Sequence, residues 1–142
     1  MKQNLTKVFK KSVLTVATLC ALFAVNSCTK TTTSSNDGAK FVGAWTGTSS
    51  CSGATTYNLG TGSDGNTVTN SGTIGGTGCV KAISLNIKAN GNVLTMASQT
   101  FTDGCGNSYT FTGSGVLSGT TLTMTETVTG AITQTCTFTG HK

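Results

Sequence analysis

Thr121-Leu122-Thr123-Met124-Thr125-Glu126-Thr127-Val128-Thr129-Gly130-Ala131-Ile132-Thr133-Gln134-Thr135-Cys136-Thr137-Phe138-Thr139 is written on a period of two. Side chains of a strand alternate between its faces. Leu122, Met124, Glu126 and Val128 therefore share one face, and the threonines between them share the other. A short turn at Thr129-Gly130-Ala131 opposes Val128 with Ile132, Glu126 with Gln134, Met124 with Cys136 and Leu122 with Phe138. One face of this hairpin is apolar with two polar intruders, and the other is entirely threonine. A slip of one residue inverts both faces, so the register is strongly specified.

The same pattern extends upstream. Gly65-Asn66-Thr67-Val68-Thr69 precedes Cys79, Gly91-Asn92-Val93-Leu94-Thr95-Met96 precedes Cys105, and Gly119-Thr120-Thr121-Leu122-Thr123-Met124 precedes Cys136. The chain repeats cysteine, strand, glycine turn, strand. The glycine turns fall at one end of the sheet and the cysteine-bearing connections toward the other. With a first strand from Phe41 and a last one to Gly140, this gives about eight antiparallel strands of ordinary length. Proline is absent, and no stretch after Val25 keeps helical periodicity. The expected fold is all-β, an antiparallel up-and-down barrel, because closure removes the sheet edges. A two-sheet sandwich is the alternative.

Four cysteines fall in this domain: Cys51, Cys79, Cys105 and Cys136. An even count in a small exported domain reads as two disulfides, with three pairings open. Cys51–Cys79 with Cys105–Cys136 closes neighbouring hairpins and is the expected arrangement. Cys51–Cys136 with Cys79–Cys105 joins the first and last strands of a closed barrel and is the main alternative.

The start of the chain has a different character. Met1 to Lys11 carries four lysines and no acid, and an apolar run follows from Val13 to Val25. That run is shorter than the roughly 20 residues a spanning helix needs. It reads as a secretory signal, ending in Val25-Asn26-Ser27-Cys28. This ending resembles a bacterial lipobox, at which the signal is cut away and the new terminal cysteine carries lipid. The resemblance divides the chain into a signal peptide at 1–27, a flexible tether at 28–40 beginning with lipidated Cys28, and a barrel at 41–142. Thr29 to Lys40 has no apolar residue but Ala39, a composition that cannot bury a core. Thr29 after the cysteine, by analogy with enteric bacteria, implies the outer membrane, reached through the lipid on Cys28.

The formal charge of +5 is misleading. Four of the nine lysines lie in the signal. The rest of the chain sets Lys30, Lys40, Lys81, Lys88 and Lys142 against Asp37, Asp64, Asp103 and Glu126. There is no arginine and no basic stripe of the kind that reads nucleic acid. The single histidine, His141, is next to last, a poor place for a catalytic base. The turns Asp64-Gly65-Asn66 and Asp103-Gly104-Cys105 fall short of the ligands calcium needs. The spacing of the cysteines holds no C-x-x-C zinc signature. The expectation is a monomeric, non-catalytic protein without metal or cofactor.

Phe41-Val42-Gly43-Ala44-Trp45-Thr46-Gly47 opens the first strand. Gly43-Ala44-Trp45 resembles the G-x-W start of lipocalins and of the small lipocalin-like lipoproteins of Bacteroidetes. The resemblance covers about seven residues. It implies that Trp45 plugs the closed end of an eight-stranded barrel whose mouth takes an apolar ligand. Thr102-Asp103-Gly104 matches the T-D-Y motif only in part. With no arginine to stack on the tryptophan, Lys142 or His141 is left to take that place.

Trp45, Tyr109, Phe111, Glu126 and Gln134 are the candidate pocket residues. Glu126 is the one acid inside a strand pattern, and the repeats place Gly72 and Ser98 at its level, where small side chains leave a void. A buried carboxylate needs a partner or an upward-shifted pKa, and Gln134 is the expected donor. The readings of Glu126 are a ligand anchor, a rim residue in water, or a satisfied Glu–Gln pair. The expected function is binding of a small apolar or amphipathic molecule. The alternative is an envelope interaction module, such as an inhibitor of a secreted hydrolase.

Overall fold

A computed structural model describes residues 35–142. The lipobox-like segment and Cys28 lie outside the described residues. Eight strands follow in order: β1 (Gly43–Ser49), β2 (Gly53–Thr61), β3 (Thr67–Ile74), β4 (Lys81–Asn90), β5 (Val93–Thr102), β6 (Ser108–Ser118), β7 (Thr121–Gly130) and β8 (Gln134–His141). Each pairs antiparallel with the next, and β8 pairs with β1, giving a closed up-and-down barrel. The sandwich alternative is excluded by this closure.

The seam between β1 and β8 is tight. A Cβ on Gly47 would stand 2.0 Å from the Thr139 carbonyl oxygen, so only glycine fits there. Gly43 sits at φ +129°, with the Lys142 side chain in the space a Cβ would occupy. Two of the glycine turns expected from sequence, at Gly91 and Gly119, adopt φ +54° and +58°, a conformation that costs L-residues with a Cβ.

The interior is filled unevenly. Trp45, Phe41, Phe138, Ile87, Leu94, Leu122 and Val68 are the largest fully buried side chains. All lie toward the end that carries the β2–β3, β4–β5 and β6–β7 turns. Inward glycines Gly113 and Gly115 make room for Met96 and Met124, whose side-chain carbons would stand 2.9 Å from an added Cβ. This end is also lidded. Asp37–Lys40 forms a short 3-10 helix. The Gly38 amide donates to the Gly65 carbonyl at 2.9 Å, and the Gly91 amide donates to the Asp37 carboxylate at 2.9 Å. The flexible tether expected through Lys40 is therefore corrected at its end. Residues too polar to make a core still order here, because the turn amides at the barrel's closed end need acceptors.

Two further expectations are corrected. β7 pairs with β8 as Val128↔Gln134, Glu126↔Cys136, Met124↔Phe138 and Leu122↔Gly140, two residues away from the predicted register. β6 holds β7 as far as Gly130, opposite Tyr109, and the Ala131 amide donates to the Ser108 carbonyl. The turn is thereby pushed on to 131–133. A slip of two keeps every side chain on its predicted face. The disulfides are Cys51–Cys136 and Cys79–Cys105, with Cα separations of 5.5 and 5.1 Å. Closure sets the β1–β2 loop beside β8, where the Ser50 amide donates to the Thr137 carbonyl. Likewise the Gly104 amide donates to the Cys79 carbonyl, seating the β5–β6 loop on the β3–β4 loop. Neighbours in space, rather than hairpins in sequence, decide the pairing.

Candidate functional site: the open end of the barrel

All four disulfide cysteines stand at the end opposite the packed core, as the repeat requires. Here the inward side chains are smaller or polar: Asn70 and Gly72 on β3, Thr55 and Tyr57 on β2, Glu126 on β7. The unfilled space takes the form of two cavities. One, of about 310 Å³, is lined by Tyr57, Asn58, Asn70, Gly72, Ile83, Leu85, Phe111 and Glu126 among others. The second, of about 370 Å³, is lined mainly by Ile74, Tyr109, Phe111, Val128 and Ile132. Thr73 and Phe111 are walls of both. The first is polar with a carboxylate, and the second is largely apolar.

The wall around the first cavity is incompletely paired. β2 and β3 share only Leu59↔Asn70, Gly60↔Thr69 and Thr61↔Val68. β4 and β5 share only Lys88↔Thr95, Ala89↔Leu94 and Asn90↔Val93. Between these short ladders β3 and β4 pair with each other along their whole length, from Thr67↔Lys88 to Ile74↔Lys81. The β3–β4 ribbon is thus rooted in the barrel base and free on both sides toward the mouth. Gln99, at the β5 bulge, bridges one side: its amide accepts from the Asn86 N–H at 2.9 Å and donates to the Asn86 carbonyl at 2.8 Å. The tip is held by Cys79–Cys105.

Of the sequence-predicted pocket residues, Tyr109, Phe111 and Glu126 line the cavities. Trp45 does not. It is buried at the closed end, where its indole Nε1 donates to the Phe41 carbonyl at 2.7 Å. Lys142 Nζ lies 5.1 Å from the Trp45 ring centroid and donates to the Val42 and Lys40 carbonyls. That is a cation over an aromatic face, in the place the sequence left to Lys142 or His141. His141 instead meets the Thr121 hydroxyl. Gln134 is exposed at the rim beside Val128 and lines neither cavity. The void expected beside Gly72 is present, since a Cβ there would meet nothing within 4 Å. Ser98 is exposed next to the β5 bulge instead. Tyr57, Ile83 and Leu85 were missed, although their inward parity in the mouth-side half of each strand marks them.

Glu126 is partly buried, and that burial pushes its carboxyl above the ordinary range. Tyr57 is pushed up as well, first by burial and then by the Glu126 carboxylate. The ion pairs among the described residues, Lys40–Asp37 and Lys88–Asp64, leave Glu126 aside. The other acids are committed elsewhere. Asp64 is held down to about 2 by hydrogen bonds from Lys88, Thr67 and the Asn66 amide. Asp103 is lowered by Asn107, whose side chain and amide both donate to it, with help from the Cys105 amide and the Tyr109 hydroxyl. It organises the β5–β6 loop that carries Cys105.

Comparison of the chain with protein-family models, with curated proteins and with solved structures gives no match.

Proposed function

We propose that this protein is an exported, lipid-anchored barrel that binds a small apolar or amphipathic molecule at its open end, without catalysis. The observation that carries the reading is the division of the interior: a packed core at one end and cavities of about 310 and 370 Å³ at the other. Ligand sites commonly occupy roughly 300–1,000 Å³ and combine apolar walls with a few polar groups. The resemblance to lipocalin-like lipoproteins is supported by the Trp45–Lys142 arrangement at the closed end. The rival reading, an envelope interaction module, draws its support from a filled interior, which this barrel lacks at its mouth.

Gly72→Phe tests the cavity. Gly72 lines the cavity, a Cβ there meets nothing within 4 Å, and the residue lacks positive φ. Binding of an environment-sensitive apolar dye such as N-phenyl-1-naphthylamine is expected to weaken at least tenfold while the circular dichroism spectrum is retained. Dye binding that is absent in the natural protein, or unchanged in the variant, refutes the cavity as the site. For the anchor, Cys28→Ser is expected to move the protein to the soluble fraction and abolish labelling by a fatty-acid probe. Unchanged membrane partition defeats it.

A further inference from the structure

Glu126 is partly buried without a partner for its carboxylate among the described residues, and that burial disfavours its charge. A carboxylate drawn out of water loses hydration that only a donor or a cation restores. Gln134, the donor expected from the sequence, faces Val128 instead. The cross-strand partners of Glu126 are Gly113 and Cys136, neither of which offers a side-chain cation. The nearest titratable neighbour, Tyr57, is itself disfavoured as an anion by Glu126. The cavity's remaining side chains are neutral, and none is lysine or histidine. A glutamine would fit the same space without the cost, so the charge itself calls for a role.

The surroundings specify what completes it. Tyr57 and Phe111 put aromatic rings in the wall of the same cavity, and cations are attracted to ring faces. Asn58, Asn70 and Thr55 add neutral hydrogen-bonding groups to the cavity wall. Phe111 is shared with the apolar cavity toward Ile74 and Val128. One end of a bound molecule would therefore meet a wall holding a carboxylate and two rings, and the other would meet aliphatic and aromatic walls.

We propose that the open end is a site for small organic ammonium compounds, with the ammonium group on the Glu126 carboxylate and the apolar body against Phe111. This rests on the cavity-binding reading above and names the ligand class for it. Each cavity is near the lower end of the ligand-site range, which fits a compact amine rather than a whole lipid.

Three probes that share one body and differ in charge decide it: 4-phenylbutylamine, 4-phenylbutanol and 4-phenylbutanoate, titrated calorimetrically at pH 7 into the natural protein and into Glu126→Gln. The amine is expected to bind at least tenfold more tightly than the alcohol, and the acid most weakly. In Glu126→Gln the amine's advantage is expected to vanish while the alcohol's affinity stays within about twofold. Alcohol binding with no preference for the amine overturns the ammonium site and leaves the cavity reading standing. A preference that survives Glu126→Gln, or a preference for the acid, also overturns it. No binding by any of the three probes overturns both readings. Glu126→Gln is close to isosteric, and an unchanged circular dichroism spectrum with a melting temperature no lower than the natural protein's separates lost selectivity from lost folding.

Discussion

Asp64 and Glu126 pull the stability of this domain in opposite directions with pH. Asp64 lies below its ordinary value of 3.8 because Lys88, Thr67 and Asn66 donate to its charged form. Its contribution is present above that ordinary value and fades as pH falls through about 2. Glu126 lies above its ordinary value of 4.5 because burial disfavours its charge. Its contribution is present below 4.5 and is lost as pH rises through the elevated folded-state value. Melting temperatures followed from pH 2 to 8 should show both slopes. Asp64→Asn is expected to melt lower than the natural protein at pH 7, with the gap closing toward pH 2. The gap is expected to be small, because the Asp64–Lys88 pair is exposed. Glu126→Gln is expected to melt as high or higher at pH 7, with the difference closing near pH 4. A Glu126→Gln protein that melts lower at neutral pH refutes the account of that residue. The inward parity of Glu126 was legible from alternation alone. Its lack of a partner was not, because that depends on a register two residues from the one a tight turn implies.

Among elements, the β3–β4 ribbon and the two disulfides carry the consequences. Cys51–Cys136 spans 85 residues and Cys79–Cys105 spans 26. If cross-links act mainly by limiting the unfolded chain, these contribute roughly 4.5 and 3.5 kcal/mol. The double variant Cys51→Ser/Cys136→Ser is therefore expected to lose more unfolding free energy in urea than Cys79→Ser/Cys105→Ser. The second variant has a local signature. Amide exchange is expected to quicken in Ser71–Ile74 and Lys81–Leu85, where the ribbon lacks neighbours, and to stay near natural rates in β6, β7 and β8. A uniform rise across the barrel contradicts a ribbon held at its tip. The eight strands and the clustering of cysteines at one end were readable from the repeat. The pairing was not. Sequence proximity favours Cys51 with Cys79, but β2 and β3 part above Leu59 and Asn70, and closure brings β8 beside β1. The 3-10 helix at Asp37–Lys40 was also hidden, since its hydrogen bonds run to turns some 30 to 50 residues away.

Across the described barrel, the most deeply buried large side chains gather toward the end that holds Trp45, and the cavities lie toward the end that holds Glu126, between rings, aliphatic groups and small or polar residues. A two-residue period assigns side chains to the inside or outside of a barrel, but it does not assign them to a height along the axis. Height follows from the turns, and the glycine turns set Leu94 and Leu122 low and Phe111 and Glu126 high, while Tyr57, paired with Trp45, joins the two levels. This explains why Trp45 and Glu126 were both legible as interior residues and yet belong to opposite ends.

The short ladders flanking the β3–β4 ribbon also have a mechanical meaning. Spreading the mouth there breaks few backbone hydrogen bonds, because beyond Leu59–Asn70 and Lys88–Thr95 few exist to break. Resistance comes from the Gln99 bridge and one covalent tie at the tip. The barrel is densely laddered at its base and sparsely laddered at its rim. Under the proposed binding reading, such a rim would adjust to small guests of somewhat different girth, and the charge on Glu126 would do the selecting among guests of that size.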